Sequence, residues 1–273
     1  MNFDDALERL AAEEDARCDL AELAFLLARD EYADLDVDAY LCELNGMARE
    51  ARNYLGGDLE SRVKGLCRYL FHEMGFRGNA REYYDPRNSY LNQVLDRRKG
   101  IPITLSVVAM AVGRRAGLEI AGVGLPGHFV AKAVDNGTSV FFDPFHGGRL
   151  LTEVDCKNLV MQATGKATAL TPAHLVALPV RLIVLRLLNN LKAIYLRQSD
   201  LPRAVRTMER LCQLTPDDLV QRRDLGITLL QAGRASPAID HLEAYLAAAP
   251  EGADEQTVRK LLDKAIAEVG RWN

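Results

Sequence analysis

The sequence predicts an α+β protein that is mostly α-helical, and three observations support this class. Along most of the 273 residues, apolar side chains recur at the three- and four-residue spacing of amphipathic helices. The stretch 118–145 is instead rich in Val, Ile and Phe and is interrupted by Gly, Pro and Asn-Gly, as in a small antiparallel sheet. The last third of the chain repeats its apolar pattern at an offset of 34 residues.

Composition places the chain among ordinary globular proteins, with 48% hydrophobic and 26% charged residues. We find no apolar run near the roughly 18 residues that span a bilayer, and the acidic start MNFDDALERL is unlike a signal sequence. The five cysteines form no C-x-x-C pair and have no histidine at metal-binding spacing. We therefore expect a cytoplasmic protein with reduced thiols, no membrane contact, no metal and no other cofactor.

Charge is distributed unevenly along the chain. Residues 1–45 carry fourteen acidic and three basic side chains, although the net charge of the whole chain is only −4. Two interpretations stay open: a solvated helical face, or an acidic patch for a basic partner. A nucleic-acid partner is not expected, because the sequence has neither a Gly-rich phosphate loop nor a basic stripe interleaved with aromatic residues.

The first third is predicted to be helical up to a polar loop. Segments 16–57 and 58–76 have helical apolar spacing, and Gly75 ends the second one. The polar stretch 79–99 is predicted to be loop-rich, with a turn at Asp85-Pro86. Its three tyrosines are expected to pack the loop against the protein: Tyr83, Tyr84 and Tyr90.

A buried helix and a hairpin are predicted next. The run IPITLSVVAMAVGRRAG has Pro102 in its first turn and stops at Gly117, which suits a proline start and a glycine end. Three short strands are expected in LEIAGVGL, HFVAKAV and SVFFDPF. Asn136-Gly137 between the last two is typical of a two-residue hairpin turn. A turn and a helix follow at 147–165.

The C-terminal repeat has the pattern of tetratricopeptide helical hairpins. Pro216 and Pro250 are one period apart, and the apolar positions of one copy coincide with those of the next. The coincident pairs are Leu191 and Leu225, Tyr195 and Leu229, Ala204 and Ala238, Met208 and Leu242, and Leu211 and Tyr245. Gly226 departs from the pattern, because its counterpart is Lys192. Residues 254–271 are predicted to form a capping helix.

Two residues of the predicted sheet could carry chemistry. His128 lies at the start of one strand and Asp143 at the end of the next, so the two can face each other across neighbouring antiparallel strands. An aspartate that orients an imidazole is the base-and-orienter half of a nucleophilic triad. Packing or surface roles for a lone histidine are the alternative.

The order of three motifs resembles a known family. The segments YLNQVLDRRKGIPITLS, LPGHF and DPFHGG look like the SirB1 family of bacterial transglutaminase-like proteins with C-terminal tetratricopeptide repeats. A similar module occurs in one F-box protein of eukaryotic ubiquitin ligases. The resemblance covers roughly residues 20–270. It implies a transglutaminase-like domain at 1–178 and a repeat region with its capping helix at 179–273.

The resemblance also implies a nucleophile that this chain lacks. The wider superfamily uses a cysteine at the N-terminal end of the buried helix, where the helix dipole lowers the thiol pKa. The corresponding stretch, 100–106, contains no cysteine. Thr104 and Ser106 are the hydroxyl candidates there, although such hydroxyls usually bond a carbonyl one turn back. Cys67 is predicted to be a buried hydrophobe.

Other polar residues cluster around the same motifs. Asn92 is expected to hold the loop through bonds to the backbone, and Asp96 and His146 lie nearby in sequence. The basic triplet 97–99 is interpreted as a solvated loop, with a pocket for an anionic peptide as the alternative.

The leading hypothesis is a pseudoenzyme: a non-catalytic or catalytically altered transglutaminase-like protein that binds a protein or peptide partner. Its rival is a hydrolase or acyl-transfer enzyme that uses His128 and Asp143 with Thr104, Ser106 or a distant cysteine. A third possibility is a purely structural module with no cleft at His128. Two repeats fall short of the roughly three that bury a continuous core, so we expect the repeats to dock on the preceding domain.

Overall fold

The structure is a computed structural model that describes residues 2–12, 18–166, 170–248 and 254–270. These residues group into two compact units. One unit is Asp15–Leu187, and the other combines Phe3–Glu14 with Leu188–Asn273. The division falls inside a helix, so the predicted domain boundary after residue 178 stays a prediction.

The described residues form helices joined by short strands, which confirms the predicted mostly helical α+β class. The helices are α1 Phe3–Ala11, α2 Leu20–Ala28, α3 Val37–Ala51, α4 Leu59–Cys67, α5 Leu91–Arg97, α6 Pro102–Ala116, α7 Glu153–Thr164, α8 Val180–Arg197, α9 Leu201–Leu214, α10 Leu219–Gln231, α11 Ala235–Ala248 and α12 Glu255–Gly270. The strands are β1 Arg77–Gly78, β2 Lys99–Gly100, β3 Ile120–Val123, β4 Val130–Asp135, β5 Thr138–Asp143 and β6 Arg149–Leu151.

Two aspartates of the acidic N-terminal segment cap the N-termini of helices. Asp19 and Asp36 precede α2 and α3, and each side chain accepts a hydrogen bond from a backbone N–H of the first turn. Such caps satisfy donors that have no partner within the helix. Glu43 contributes to an ion pair with Arg98. Residues 13–17 of this segment lie outside the described residues.

The prediction that 79–99 is mainly loop was wrong at its C-terminal end. A single 3-10 turn covers Pro86–Asn88, and α5 begins after two further residues. Leu91, Val94 and Leu95 are buried on one face of α5. Their three- and four-residue spacing is helical, but a helix this short has too few turns to stand out from a polar sequence.

A central helix packs against a small sheet in the larger unit. Most of α6 is buried, with Pro102 in its first turn and Gly117 in a left-handed conformation at its end. The helix lies against β3 and β4 of an antiparallel sheet whose strand order is β3-β4-β5-β6. The predicted two-residue turn at Asn136-Gly137 is confirmed, with φ values of 46° and 80° that suit this hairpin type. Strands β1 and β2 form a separate two-stranded parallel ladder.

Burial in the second unit follows the predicted repeat. All ten residues of the coincident pairs are buried, and Gly226 lets α10 approach Leu242 of α11 closely. The capping helix is present as α12, while Pro250 and residue 271 lie outside the described residues. The N-terminal α1 packs on α9, where Arg210 bonds Asp4 at 2.9 Å and lies over the Phe3 ring.

Among the residues that the structure describes, none of the helices combines the length and the apolar character that crossing a bilayer requires.

Candidate functional site

The structure brings His128 and Asp143 together. Asp143 is the last residue of β5, and His128 precedes β4 by two residues, so the histidine lies just before its strand rather than at its first position. The backbone N–H of His128 donates to the Leu125 carbonyl, which turns the chain into the strand. His128 Nε2 lies 3.0 Å from Asp143 Oδ2.

A second histidine shares the same carboxylate. His146 Nδ1 lies 2.7 Å from Asp143 Oδ2, while the other oxygen, Oδ1, accepts from the backbone N–H groups of Phe145 and His146. The Asp143 side chain is fully buried. Burial alone would raise the pKa of Asp143, but the hydrogen bonds and charges of His128 and His146 outweigh it, so the pKa lies below its ordinary value. The sequence puts His146 near the site without assigning it a contact.

Two glycines allow the turn after β5 to pack closely against β1 and α4. Gly148 has a φ of +76°, and a Cβ there would lie 2.6 Å from the Cβ and Sγ atoms of Cys67. A Cβ on Gly78 in β1 would lie 2.6 Å from the Phe145 carbonyl oxygen. The 3-10 turn Pro144–His146 is therefore packed between β1 and the end of α4, and this packing sets the position of the His146 backbone.

The two hydroxyl candidates are engaged elsewhere. Thr104 Oγ1 donates to the Asn88 carbonyl at 2.7 Å and accepts from the Ile101 N–H. Ser106 Oγ donates to the Pro102 carbonyl at 2.8 Å, one turn back. Both side chains are buried. Within the described ranges, no hydroxyl is hydrogen-bonded to His128.

The buried cysteines are no better placed for nucleophilic attack. Cys67 contacts the turn at Gly148, but burial raises the pKa of its thiol to about 12. Burial likewise raises the pKa of the Cys156 thiol in α7 to about 11. Both thiols are protonated at neutral pH, and the thiolate is the nucleophilic form.

Arg186 holds the backbone that carries His128. One guanidinium nitrogen, Nη2, donates to the carbonyls of Leu125 and His128, each at 3.0 Å. The guanidinium also lies over the Phe129 ring, 5.3 Å from its centroid. Burial lowers the pKa of Arg186. No pattern in the sequence signals this role, because Arg186 is distant in sequence from the loop that it holds.

A buried amide pair, not Asn92, organises the loop before α5. Asn88 is fully buried and donates to the carbonyls of Glu82 and Tyr83, while its Oδ1 accepts from Asn79 Nδ2 at 3.0 Å. The prediction that Asn92 does this was wrong, because its side-chain oxygen is buried without a hydrogen-bond partner in the part of the chain that the structure describes. Asn and Asp are both common in such loops, so sequence alone does not choose between neighbours.

The organised loop adds aromatic rings to the site. The rings of Tyr84, Tyr83 and Phe145 contact one another in that order, and the Phe145 ring also contacts the rings of His128 and His146. All four contacts are edge-to-face, with centroid distances from 5.1 to 6.2 Å. We call these five rings the aromatic row. Tyr84 is 49% exposed and the His146 side chain 52% exposed, so both ends of the row face solvent. Tyr90 is instead buried edge-on against Tyr32.

The basic triplet is only partly a solvated loop. Arg97 forms an ion pair with Asp85, and Arg98 pairs with Glu43 and lies over the Phe76 ring. Asp96 accepts a hydrogen bond from the Tyr40 hydroxyl. Two of the three cations are therefore used to join α5 to its neighbours, where they are half-buried.

Comparison with known proteins supplies a family context. Residues 38–189 match a family model described as the transglutaminase-like superfamily, and residues 191–263 match a tetratricopeptide repeat model. A UPF0162 protein of Xylella fastidiosa strain Temecula1 is 37% identical over 92% of this chain and 91% of that protein. A UPF0162 protein of Vibrio cholerae is 28% identical over 71% and 72% of the two chains.

Two further similarities are more distant. F-box only protein 21 of Mus musculus is 30% identical over 52% of this chain and 23% of its own. A solved structure of menin, described as revealing the binding site for the Mixed Lineage Leukemia protein, aligns with a TM-score of 0.42 at 12% identity, over 88% of this chain and 68% of menin.

Proposed function

This chain belongs to the transglutaminase-like superfamily, and on that premise we propose that it binds a segment of a partner protein beside His128 and Asp143 without turning it over. One observation carries the proposal. The base-and-orienter pair is intact and its histidine belongs to the aromatic row, whose two ends are exposed, yet no nucleophile of the described residues is hydrogen-bonded to the base.

Covalent catalysis would begin with proton transfer from a nucleophile to His128, and the hydroxyl candidates are not placed for that step. A nucleophile must lie within about 2.6–3.2 Å of the base that takes its proton, or somewhat farther before substrate binds. Thr104 and Ser106 both donate to backbone carbonyls, so activating either one would first require breaking a buried hydrogen bond. Breaking such a bond costs about 1–3 kcal/mol before any chemistry begins.

Binding is better supported than catalysis. Aromatic side chains are enriched at protein interfaces, because they bury a large apolar area with little loss of side-chain freedom. The aromatic row offers rings at the surface, from Tyr84 at one end to His146 at the other. Tetratricopeptide repeats generally use extended surfaces for protein–protein interaction, which gives the chain further interaction capacity.

A cytoplasmic location is part of the proposal. Among the described residues, the five cysteines form no disulfide, and reduced thiols persist in a reducing compartment. We propose no nucleic-acid or membrane partner, and the partner surface that fits the aromatic row is an extended protein segment.

The catalytic half of the proposal is tested by turnover assays on the full-length chain. Wild type and His128→Ala would be compared in hydrolysis of fluorogenic amide and ester substrates and in transfer of a fluorescent primary amine to casein. We expect both proteins to match the rate without protein. Turnover by wild type that disappears in His128→Ala would overturn this half and favour the hydrolase or acyl-transfer alternative.

The binding half is tested with peptides selected from a phage-displayed library against the full-length chain. We expect Tyr84→Ala to weaken a selected peptide by about 5- to 30-fold, the loss of about 1–2 kcal/mol that truncating an interface aromatic causes. Val154→Ala is the matched control, because Val154 is 63% exposed in the same unit and lies outside the row. A library without binders, or equal affinities for both variants, would contradict the proposal.

A further inference from the structure

His128, Asp143 and His146 place three metal-binding atoms together. One imidazole nitrogen of His128, a carboxylate oxygen of Asp143 and one imidazole nitrogen of His146 all lie within 4.8 Å of one another. Both nitrogens are closest to the same oxygen, Oδ2, at 3.0 and 2.7 Å. From this convergence we propose that the three side chains bind a divalent transition-metal ion of the zinc class. The inference goes beyond peptide binding, although it involves side chains of the same site, and its test measures metal affinity rather than peptide affinity.

The distances need a modest adjustment for a metal. Zinc lies about 2.0–2.2 Å from histidine nitrogens and carboxylate oxygens, which puts neighbouring donor atoms of a tetrahedral site about 3.3–3.6 Å apart. The observed separations from Oδ2 are 3.0 and 2.7 Å, so both nitrogens would have to move away from Oδ2 by about half an ångström to admit the ion. The His146 side chain is 52% exposed, so its ring has room to make the change.

The donor set is one that such metals prefer. Two imidazoles and one carboxylate form the ligand sets of several zinc and non-haem iron sites, which leave further positions open for water or another ligand. The other oxygen of Asp143 accepts hydrogen bonds from the backbone N–H groups of Phe145 and His146. Such bonds orient a ligating carboxylate.

Charge favours a cation at this point. The Asp143 side chain is fully buried, and the ion-pair partners that the described residues give it are the two histidines. A buried carboxylate without a lysine or arginine partner carries a desolvation cost that a metal ion would offset. Zinc binding would replace the two hydrogen bonds between the imidazole nitrogens and Oδ2.

The test uses the full-length chain after treatment with a chelator. Zinc affinity is measured by competition with a fluorescent chelator for wild type, His146→Ala and His72→Ala. His72 is an exposed histidine in the same unit and serves as the matched control. We expect one equivalent of zinc to bind wild type and His72→Ala equally. We expect zinc affinity to fall at least about 100-fold in His146→Ala, because removing even a group that only orients a metal ligand costs about 10- to 100-fold.

A second measurement identifies the ligands directly. X-ray absorption of the zinc-loaded chain should show two imidazoles and an oxygen ligand, with no sulfur in the first shell. Equal affinity of wild type and His146→Ala, no binding at all, or a sulfur ligand from one of the five cysteines would each overturn the inference. Circular dichroism of His146→Ala should match wild type, because the removed ring is half-exposed.

Discussion

Replacing Asp143 by alanine removes an acceptor on which four donors converge. The carboxylate accepts from the backbone N–H groups of Phe145 and His146, and both imidazoles lie within 3.0 Å of its second oxygen. Because the side chain is fully buried, water does not replace it without entering the protein. Asp143→Ala therefore leaves buried polar groups without a partner.

The expected loss in the free energy of unfolding depends on how many of these polar groups stay buried in Asp143→Ala. Each buried polar group left unsatisfied costs about 1–3 kcal/mol. The half-exposed His146 ring can turn to water, whereas His128 is only 9% exposed. Removing the buried charge returns part of this cost, since the charge itself was desolvated. We expect a net loss of about 2–4 kcal/mol, which lowers Tm by about 4–16 °C for a unit of this size.

Asp143→Asn separates the hydrogen bonds from the charge. The amide has nearly the same volume, its oxygen can accept both backbone N–H groups, and its two hydrogens can point to the two imidazoles. It loses only the strengthening that ionisation gives, so we expect a cost of about 1–2 kcal/mol. Thermal unfolding followed by circular dichroism gives the order wild type, Asn variant, Ala variant. Equal stability of Asp143→Ala and wild type would refute the reasoning, as would an Asn variant no better than alanine.

Three further predictions concern acid stability, a close helix contact and the arginine behind the site. The pKa of Asp143 is held below its ordinary value of 3.8 in the folded protein. The stability that this carboxylate contributes is therefore fully present above pH 3.8 and is lost as the pH falls below it. The denaturation midpoints of wild type and Asp143→Asn should converge below about pH 3.8. A Cβ on Gly65 of α4 would lie 1.9 Å from the Tyr54 carbonyl oxygen, so Gly65→Ala should cost about 3 kcal/mol in urea unfolding. Arg186→Met should cost about 1–3 kcal/mol in the same assay, because the carbonyls of Leu125 and His128 lose their donor.

Each of these predictions has a matched comparison. A methyl group added at Gly46 in α3 would meet the Arg49 side chain at 3.8 Å, an ordinary contact distance, so Gly46→Ala should instead stabilise the chain by about 0.5–1 kcal/mol. Arg186→Lys keeps a donor and should recover part of the loss of Arg186→Met. Two glycine variants of equal stability, two arginine variants of equal stability, or midpoints that diverge below pH 3.8 would each count against the corresponding explanation.

The sequence predicts elements whose signal is local. The Asn136-Gly137 turn needs positive φ at both residues, and the hairpin around it follows from that requirement. The helix from Pro102 to its glycine stop and the buried positions of the two repeats follow from chemistry and spacing within the segment. The resemblance to transglutaminase-like proteins with tetratricopeptide repeats is confirmed by the matches of both family models.

Part of the site can also be predicted from sequence. The pattern predicts that His128 and Asp143 face each other across neighbouring strands, and the structure has them 3.0 Å apart, with Asp143 at the end of β5 and His128 just before β4. The hydrogen bond from Ser106 to a carbonyl one turn back is expected from its place inside an apolar helix. The catalytic status of these residues stays a prediction.

Only the tertiary structure decided which distant groups meet. The contact of His146 with the buried carboxylate depends on how Gly78 and Gly148 let the turn pack, and the aromatic row depends on a loop held by Asn88. Arg186 reaches the loop before β4 from a helix far along the chain. Backbone turns and helical faces are set by neighbours in sequence, whereas these contacts are set by packing, which no local pattern of residues records.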